Sequence, residues 1–240
     1  MRKYAIPKIA YILLILMLTC VTIGNTYAYF SSHATANSNV TLGKISIEWQ
    51  DYTSEALIPS LFDDPTAIAI SGDLTRGEYT SIQARTKTDA EDETTEVSLA
   101  MSNVDGTINA YCRIGIVAKY TPKNLTTEIT CENGWIQLAL KNAKSGVTKL
   151  ITDNGWFYYN GYYYYGSETK DGEGNVTART LTELECGTSQ EVANNLFLSD
   201  SAASNMFGAS VSITLTLEGI QTTNDAYQYA WQLPENWIFS

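Results

Sequence analysis

Few residues in this chain can do chemistry, and their spacing works against most reactions. His33 is the single histidine, and Ser31 and Ser32 stand directly before it. A Ser-His-acid relay needs its members brought together from separate elements, which adjacent residues cannot provide. One histidine also excludes a His-Glu-x-x-His zinc site, which sets two imidazoles on one helix face. The chain has no C-x-x-C and no Cys/His cluster, so a structural zinc site has no ligand set. On these grounds no catalytic residue, cofactor or enzyme activity is expected.

Oxygen ligands are more plentiful. Asp171, Glu173 and Asn175 alternate with glycines, and this is the nearest approach to a calcium loop. It lacks the terminal bidentate glutamate and the twelve-residue pattern of an EF-hand. Asp63-Asp64 and the Asp89–Glu93 run could each supply further carboxylates. Solvated acidic loops explain all three sets equally well, so no metal is assigned.

The aromatic side chains are concentrated in Trp156-Phe157-Tyr158-Tyr159-Asn160-Gly161-Tyr162-Tyr163-Tyr164-Tyr165. Asn-Gly adopts the two positive φ angles of a type I′ turn, so the run reads as a tight hairpin with two aromatic arms. Half of the rings should face a core and pair across strands. The other half could form an outward platform for sugar, peptide or another subunit. Trp156, Tyr158, Tyr163 and Tyr165 are the candidates for that surface.

The elements that carry these residues must work in a particular setting. Arg2, Lys3 and Lys8 precede an apolar run, Ile9–Ile23, which leads to Thr26-Tyr27-Ala28. A basic start, a short apolar stretch and small residues before a cut define a secretory signal peptide. The run falls short of the roughly 20 apolar residues of a membrane span. Cleavage between Ala28 and Tyr29 would leave 212 residues (240 − 28) with 12 basic and 26 acidic side chains, a net charge near −14. That charge opposes binding to nucleic acid and anionic lipid and suits an extracellular protein, with membrane contact only before cleavage. Cys20 would leave with the signal. An exported chain allows one bridge among Cys112, Cys131 and Cys186, and the sequence leaves open which pair forms it. Three unpaired thiols are the equal alternative.

The mature region reads as strands. Apolar and polar residues alternate in Lys44–Trp49, Val97–Met101, Cys112–Lys119 and Val211–Glu218. A period of two puts one strand face on a core and the other in water, the signature of antiparallel sheets. Asn154-Gly155, Asp105-Gly106 and Asn133-Gly134 add turn signals. Short helical turns are expected only at Gln190–Asn195 and Asp225–Trp231. Thr88–Glu96 and Lys170–Asn175 read as loops. These features predict an all-β chain whose strands form a two-layer antiparallel β-sandwich, a single domain over residues 29–240. The stretch Tyr29–Gly43 is small, polar and β-tolerant. It could pair with its own sheet or supply a strand to a neighbour.

Several ordered pieces resemble the family of TasA and camelysin, secreted β-rich proteins of Gram-positive bacteria. Ala28-Tyr29-Phe30-Ser31, then Ala34–Ser38 and Leu42–Ile47, are similar to the family's cleavage region and first strand. Gly106-Thr107-Ile108-Asn109-Ala110-Tyr111-Cys112-Arg113-Ile114 is similar to a Gly-Thr-x-x-x-Tyr-Val-Arg-Val strand. The segment Asn160–Tyr165 resembles an Asp-Gly-Tyr-Tyr-Tyr-Tyr hairpin, and Leu217–Gln221 with Trp231 resembles the last strand and its tail. Cys112 stands in place of the usual valine, and Cys131 and Cys186 lie outside the pattern.

The resemblance implies a jelly-roll form of the sandwich and cleavage by a dedicated signal peptidase. It also implies a structural subunit of a cell-surface or biofilm-matrix fibre, built as a head-to-tail homopolymer beside accessory matrix proteins. The donor strand would run from Tyr29 to about Leu42, with Phe30, Val40 and Leu42 as its apolar contacts. Two alternatives come from other classes: a non-polymeric adhesion or carbohydrate-binding module, and a secreted metallopeptidase, which the lone histidine disfavours.

Overall fold

A computed structural model describes residues 44–55, 66–72, 74–85, 94–123, 125–206, 209–223, 226–234 and 237–239. They lie in one compact unit, Gly43–Ser240. The expectations placed on residues 1–43, on Asp63-Asp64 and on Asp89–Glu93 lie outside the described residues.

The described chain is all-β with antiparallel sheets. In order it forms β1 (Glu48–Asp51), β2 (Ala67–Gly72), β3 (Tyr79–Ser81), β4 (Gln83–Arg85), β5 (Thr94–Glu96) and β6 (Leu99–Ser102). The long β7 (Ala110–Thr121) is followed by β8 (Ile129–Thr130), β9 (Ile136–Lys141) and β10 (Thr148–Leu150). Next come β11 (Trp156–Tyr159), β12 (Tyr162–Lys170), β13 (Val176–Leu181), β14 (Glu183–Leu184), β15 (Ser189–Ala193) and β16 (Asn195–Leu198). The chain closes with β17 (Ser210–Gln221), the short helix α1 (Ala226–Trp231) and β18 (Ile238–Phe239).

The largest sheet runs β18-β13-β12-β7-β17-β2, with β11 on β12 and both β14 and β8 on β7. Its spine is the antiparallel pairing of β7 with β17 along all twelve residues of each, from Ser210↔Thr121 to Gln221↔Ala110. Two further sheets run β10-β9-β16-β3 and β1-β6-β15, and β4 pairs with β5. Within the large sheet, β18 runs parallel to β13.

The predicted alternation places the core. Val211, Ile213, Leu215 and Leu217 of β17 and Cys112, Ile114 and Ala118 of β7 are buried with Ile68 and Ile70 of β2. Leu99 and Met101 of β6, Leu138 of β9, Val192 of β15 and Leu196 of β16 join the same cluster, so strands of three sheets share it. Trp49 is fully buried, and its indole N–H donates to the Thr66 carbonyl at 2.9 Å.

Three expectations need correction. Val97–Met101 does not divide into a core face and a wet face: all four residues of β6, Ala100 and Ser102 included, are buried. Gln190–Asn195 is not helical but runs through β15 into β16, because Val192 and Leu196 are needed in the core. Asn154-Gly155 does form a turn, at the exit from a 3-10 turn at Ile151–Asp153, with Gly155 at φ 83°. The end of the acidic stretch, Thr94–Glu96, is a strand paired with β4.

Candidate functional site

The hairpin forms as its residues dictate. Asn160 and Gly161 take φ 48° and 88°, the positive pair a type I′ turn requires. Four cross-strand pairs follow: Tyr159↔Tyr162, Tyr158↔Tyr163, Phe157↔Tyr164 and Trp156↔Tyr165. Alternation then sorts the eight rings onto two faces.

The outward platform expected of Trp156, Tyr158, Tyr163 and Tyr165 is absent. Trp156 and Tyr163 are buried in the main core, and Tyr158 and Tyr165 pack against it. Trp156 meets Tyr165 at 5.3 Å and Tyr158 meets Tyr163 at 4.9 Å between ring centroids. The reason is register: Tyr163 pairs with Ile114 of β7, whose side chain belongs to the core. Burial pushes the Tyr163 phenol well above its ordinary range.

The other four rings, Phe157, Tyr159, Tyr162 and Tyr164, face a second apolar cluster. It holds Tyr111, Phe157, Tyr164 and Leu181 together with Tyr227, Leu233 and Trp237 from the C-terminal segment. Trp237 sets its indole edge-on to Phe157, Tyr159 and Tyr164 at 5.1–5.3 Å. Trp231, the last residue of α1, meets Tyr164 at 5.8 Å. Both faces of the hairpin are therefore covered, one by the core and one by Tyr227, Trp231, Leu233 and Trp237.

Two arginines are built into that outer face. The Arg113 guanidinium lies 4.0 Å from the Tyr162 ring centroid and 4.8 Å from that of Trp231. Its Nε and Nη2 both donate to Glu218 Oε2, at 2.9 and 2.6 Å. Arg179 lies 4.6 Å from the Tyr159 ring, and its Nε donates to Glu168 at 2.9 Å. Stacked, paired guanidinium groups of this kind fix ring orientation as well as charge. Burial raises the Tyr164 phenol, and the Arg113 hydrogen bond and charge work against that rise. Sequence reasoning missed both arginines. Arg113 falls on the outward parity of β7, which a single sequence reads as solvent.

At the open end of the hairpin, β12 runs on past β11 and leaves a cleft of about 460 Å³. Asp153, Gly155, Trp156, Ser167, Glu168 and Lys170 line it.

The calcium candidates do not converge on a cation. Asp171 Oδ1 accepts from the backbone N–H of Glu173 and Asn175 at 2.9 and 2.8 Å, and Asn175 Nδ2 donates to Asp171 Oδ2 at 3.1 Å. The Asn175 side chain thus presents a donor where a ligand oxygen would be needed. Its hydrogen bond, with those of the backbone, lowers the Asp171 pKa. This is the hydrogen-bonding of an aspartate-capped turn between β12 and β13. Among the described residues no three His, Cys, Asp or Glu side chains form a metal-holding group.

All three thiols are free, so the bridge allowed by the sequence is not formed. Cys131 donates its N–H to Ala118, six residues along β7 from Cys112, which is about 20 Å at strand rise. Cys186 donates its N–H to Asn109 Oδ1, off the start of β7. A disulfide needs Cα atoms within about 7 Å. Cys112 is buried and its thiol is pushed up to about 12, and burial raises that of Cys131 to about 11.

The remaining sequence candidates, Ala28, Tyr29, Phe30, Val40 and Leu42, with Ser31, Ser32 and His33, lie outside the described residues. No family model matches the chain, and no curated protein or solved structure matches it either.

Proposed function

We propose that this chain is a secreted structural subunit of a cell-surface or biofilm-matrix fibre. Its domain is a jelly-roll β-sandwich of the TasA and camelysin kind, assembled by strand donation from residues 29–42. One observation carries the reading. The family-like pieces are scattered through the sequence, yet they fall on adjacent strands. Ala110–Ile114 opens β7, Tyr162–Tyr165 opens β12, and Leu217–Gln221 closes β17. In the large sheet these three are neighbours, in the order β12-β7-β17. Three pieces of sequence likeness that meet on neighbouring strands are what a shared scaffold would produce.

A binding module built on the hairpin rings is the weaker reading, because Trp156 and Tyr163 are 3% exposed and a sugar platform needs open ring faces.

Negative-stain electron microscopy of two forms tests the proposal. One form begins at Tyr29 and the other at Lys44. Fibres are expected from the first and monomers from the second. Monomers from the first under all assembly conditions would refute the fibre role.

A further inference from the structure

Past Gly166 the large sheet loses a strand on one side. β11 pairs with β12 only as far as Trp156↔Tyr165, while β12 runs on to Lys170 against β13. Residues 151–153 do not follow it but wind into a 3-10 turn. The cleft of about 460 Å³ lies between that turn and the free side of β12. Its volume falls in the range of small-ligand sites.

The main chain that faces the cleft follows from parity. Thr182 N–H donates to the Tyr165 carbonyl at 2.9 Å on the β13 side, and Gly166 N–H donates to the Gly155 carbonyl at 2.9 Å on the β11 side. Alternate residues of an antiparallel strand address opposite neighbours. Glu168, two residues after Gly166, therefore turns its N–H and C=O toward the cleft, beyond the end of β11. One donor and one acceptor make too short a ladder for a further strand. The register shifts at Thr169/Lys170, and residues 168 and 170 are charged, both of which turn a strand away from an edge. The slot suits a compact ligand.

The side chains give the class of that ligand. Thr152, Asp153, Ser167 and Lys170 line the cleft and are exposed. A Cβ on Gly155 would meet nothing within 4 Å, so the wall is open there too. Glu168 is not a free anion: Oε1 accepts from Arg179 Nε at 2.9 Å, and Oε2 lies 3.8 Å from Lys170 Nζ. That leaves Asp153, with no ion pair among the described residues. One carboxylate is too few oxygens for a cation, and it repels an anion, as does a chain of net charge −11. The remaining groups are hydroxyls and a main-chain N–H and C=O. A ligand hydroxyl donates and accepts at once, so an uncharged molecule with several hydroxyls matches them all. Trp156 and Phe157, 3% and 2% exposed, border the cleft from within and add an apolar wall for the C–H face of a sugar ring.

We propose that this cleft binds a neutral saccharide unit, held by Asp153, Ser167 and the Glu168 main chain. The site is separate from the ring faces of the hairpin, which are covered, and it stands independently of the fibre reading.

Saturation-transfer NMR on the form beginning at Tyr29 tests the site, and it reads monomer and polymer alike. The probes are maltotriose, cellotriose and the N-acetylglucosamine trimer. At least one is expected to show transfer that saturates with concentration. Asp153→Ala should weaken that binding about tenfold or more, as loss of a hydrogen bond to a charged group does. Asp153 is exposed at the end of the 3-10 turn, so the variant should keep its fold, as judged by circular dichroism. Ser167→Trp fills the cleft from an exposed strand position and should abolish transfer, which keeps the test intact if Asp153→Ala does not fold. The galacturonic acid trimer adds a carboxylate to each ring and should bind at least about tenfold more weakly than the best neutral probe. Absence of saturable transfer from all three neutral trimers would overturn the site. So would folded variants that bind as the unmodified protein does, or tighter binding of the acidic trimer.

Discussion

The three thiols span the range of environments a cysteine can occupy in one fold. Cys112 is fully buried on the core side of β7, Cys131 is half-buried, and Cys186 is exposed. The thiolate is the reactive form, so burial that raises a thiol to about 12 or about 11 nearly empties it at pH 8. Alkylation of the native Tyr29 form at that pH should therefore modify Cys186 first and Cys131 slowly. Cys112 should be modified only after unfolding, and peptide mass spectrometry reads all three positions. Labelling of Cys112 at the rate of Cys186 would mean that β7 is not closed in the core. This order was not legible in the sequence, which gives the positions of Cys112, Cys131 and Cys186 and no contact between them. The positions that keep them apart come from pairings along β7 that link residues far apart in the chain.

At the scale of elements, two glycines of the hairpin region serve different ends. Gly161 supplies a positive φ in open surroundings. Gly166 sits where β12 leaves β11 and β7 and begins to pair with β13, opposite Leu181. A Cβ at Gly166 would be driven into the Thr180 carbonyl oxygen, with Leu181 Cα at 3.0 Å. Gly161→Ala should thus cost about 1 kcal/mol, the price of a left-handed alanine. Gly166→Ala should cost more, about 3 kcal/mol, because backbone cannot rotate out of the way. Urea unfolding of both variants measures the difference, and equal losses would show that the strand switch at Gly166 is not tightly packed. The hairpin itself was readable from Trp156–Tyr165, since Asn-Gly and the two aromatic arms act within ten residues. Alternation also placed the core sides of β7 and β17. It could not say whether a second face is wet. For β6 that depends on what the rest of the chain packs over each side of its sheet. For the hairpin it depends on Trp231 and Trp237, which arrive from 66 and 72 residues beyond Tyr165 (231 − 165 and 237 − 165).

On the scale of the whole molecule, the C-terminal segment is a structural layer of the large sheet. Tyr227, Leu233 and Trp237 are each less than a tenth exposed. Side chains of this size contribute roughly 1.5–3 kcal/mol each when buried, against a total stability of about 5–15 kcal/mol for a domain. Deleting residues 224–240 should lower stability by several kcal/mol and bare the rings of Phe157, Tyr159, Tyr162 and Tyr164. Denaturant unfolding and binding of a hydrophobic dye report the two effects. A truncated protein with full stability and no dye binding would show that the segment is only an appendage. The order in which the layer arrives matters during synthesis. At about 5–20 residues per second, the 72 residues from Tyr165 to Trp237 take roughly 4–14 s to follow the hairpin out of the ribosome. Hydrophobic collapse takes microseconds. Through those seconds the nascent chain carries an uncovered aromatic face with no partner of its own to close it, so holding that face belongs to chaperones until the last residues emerge.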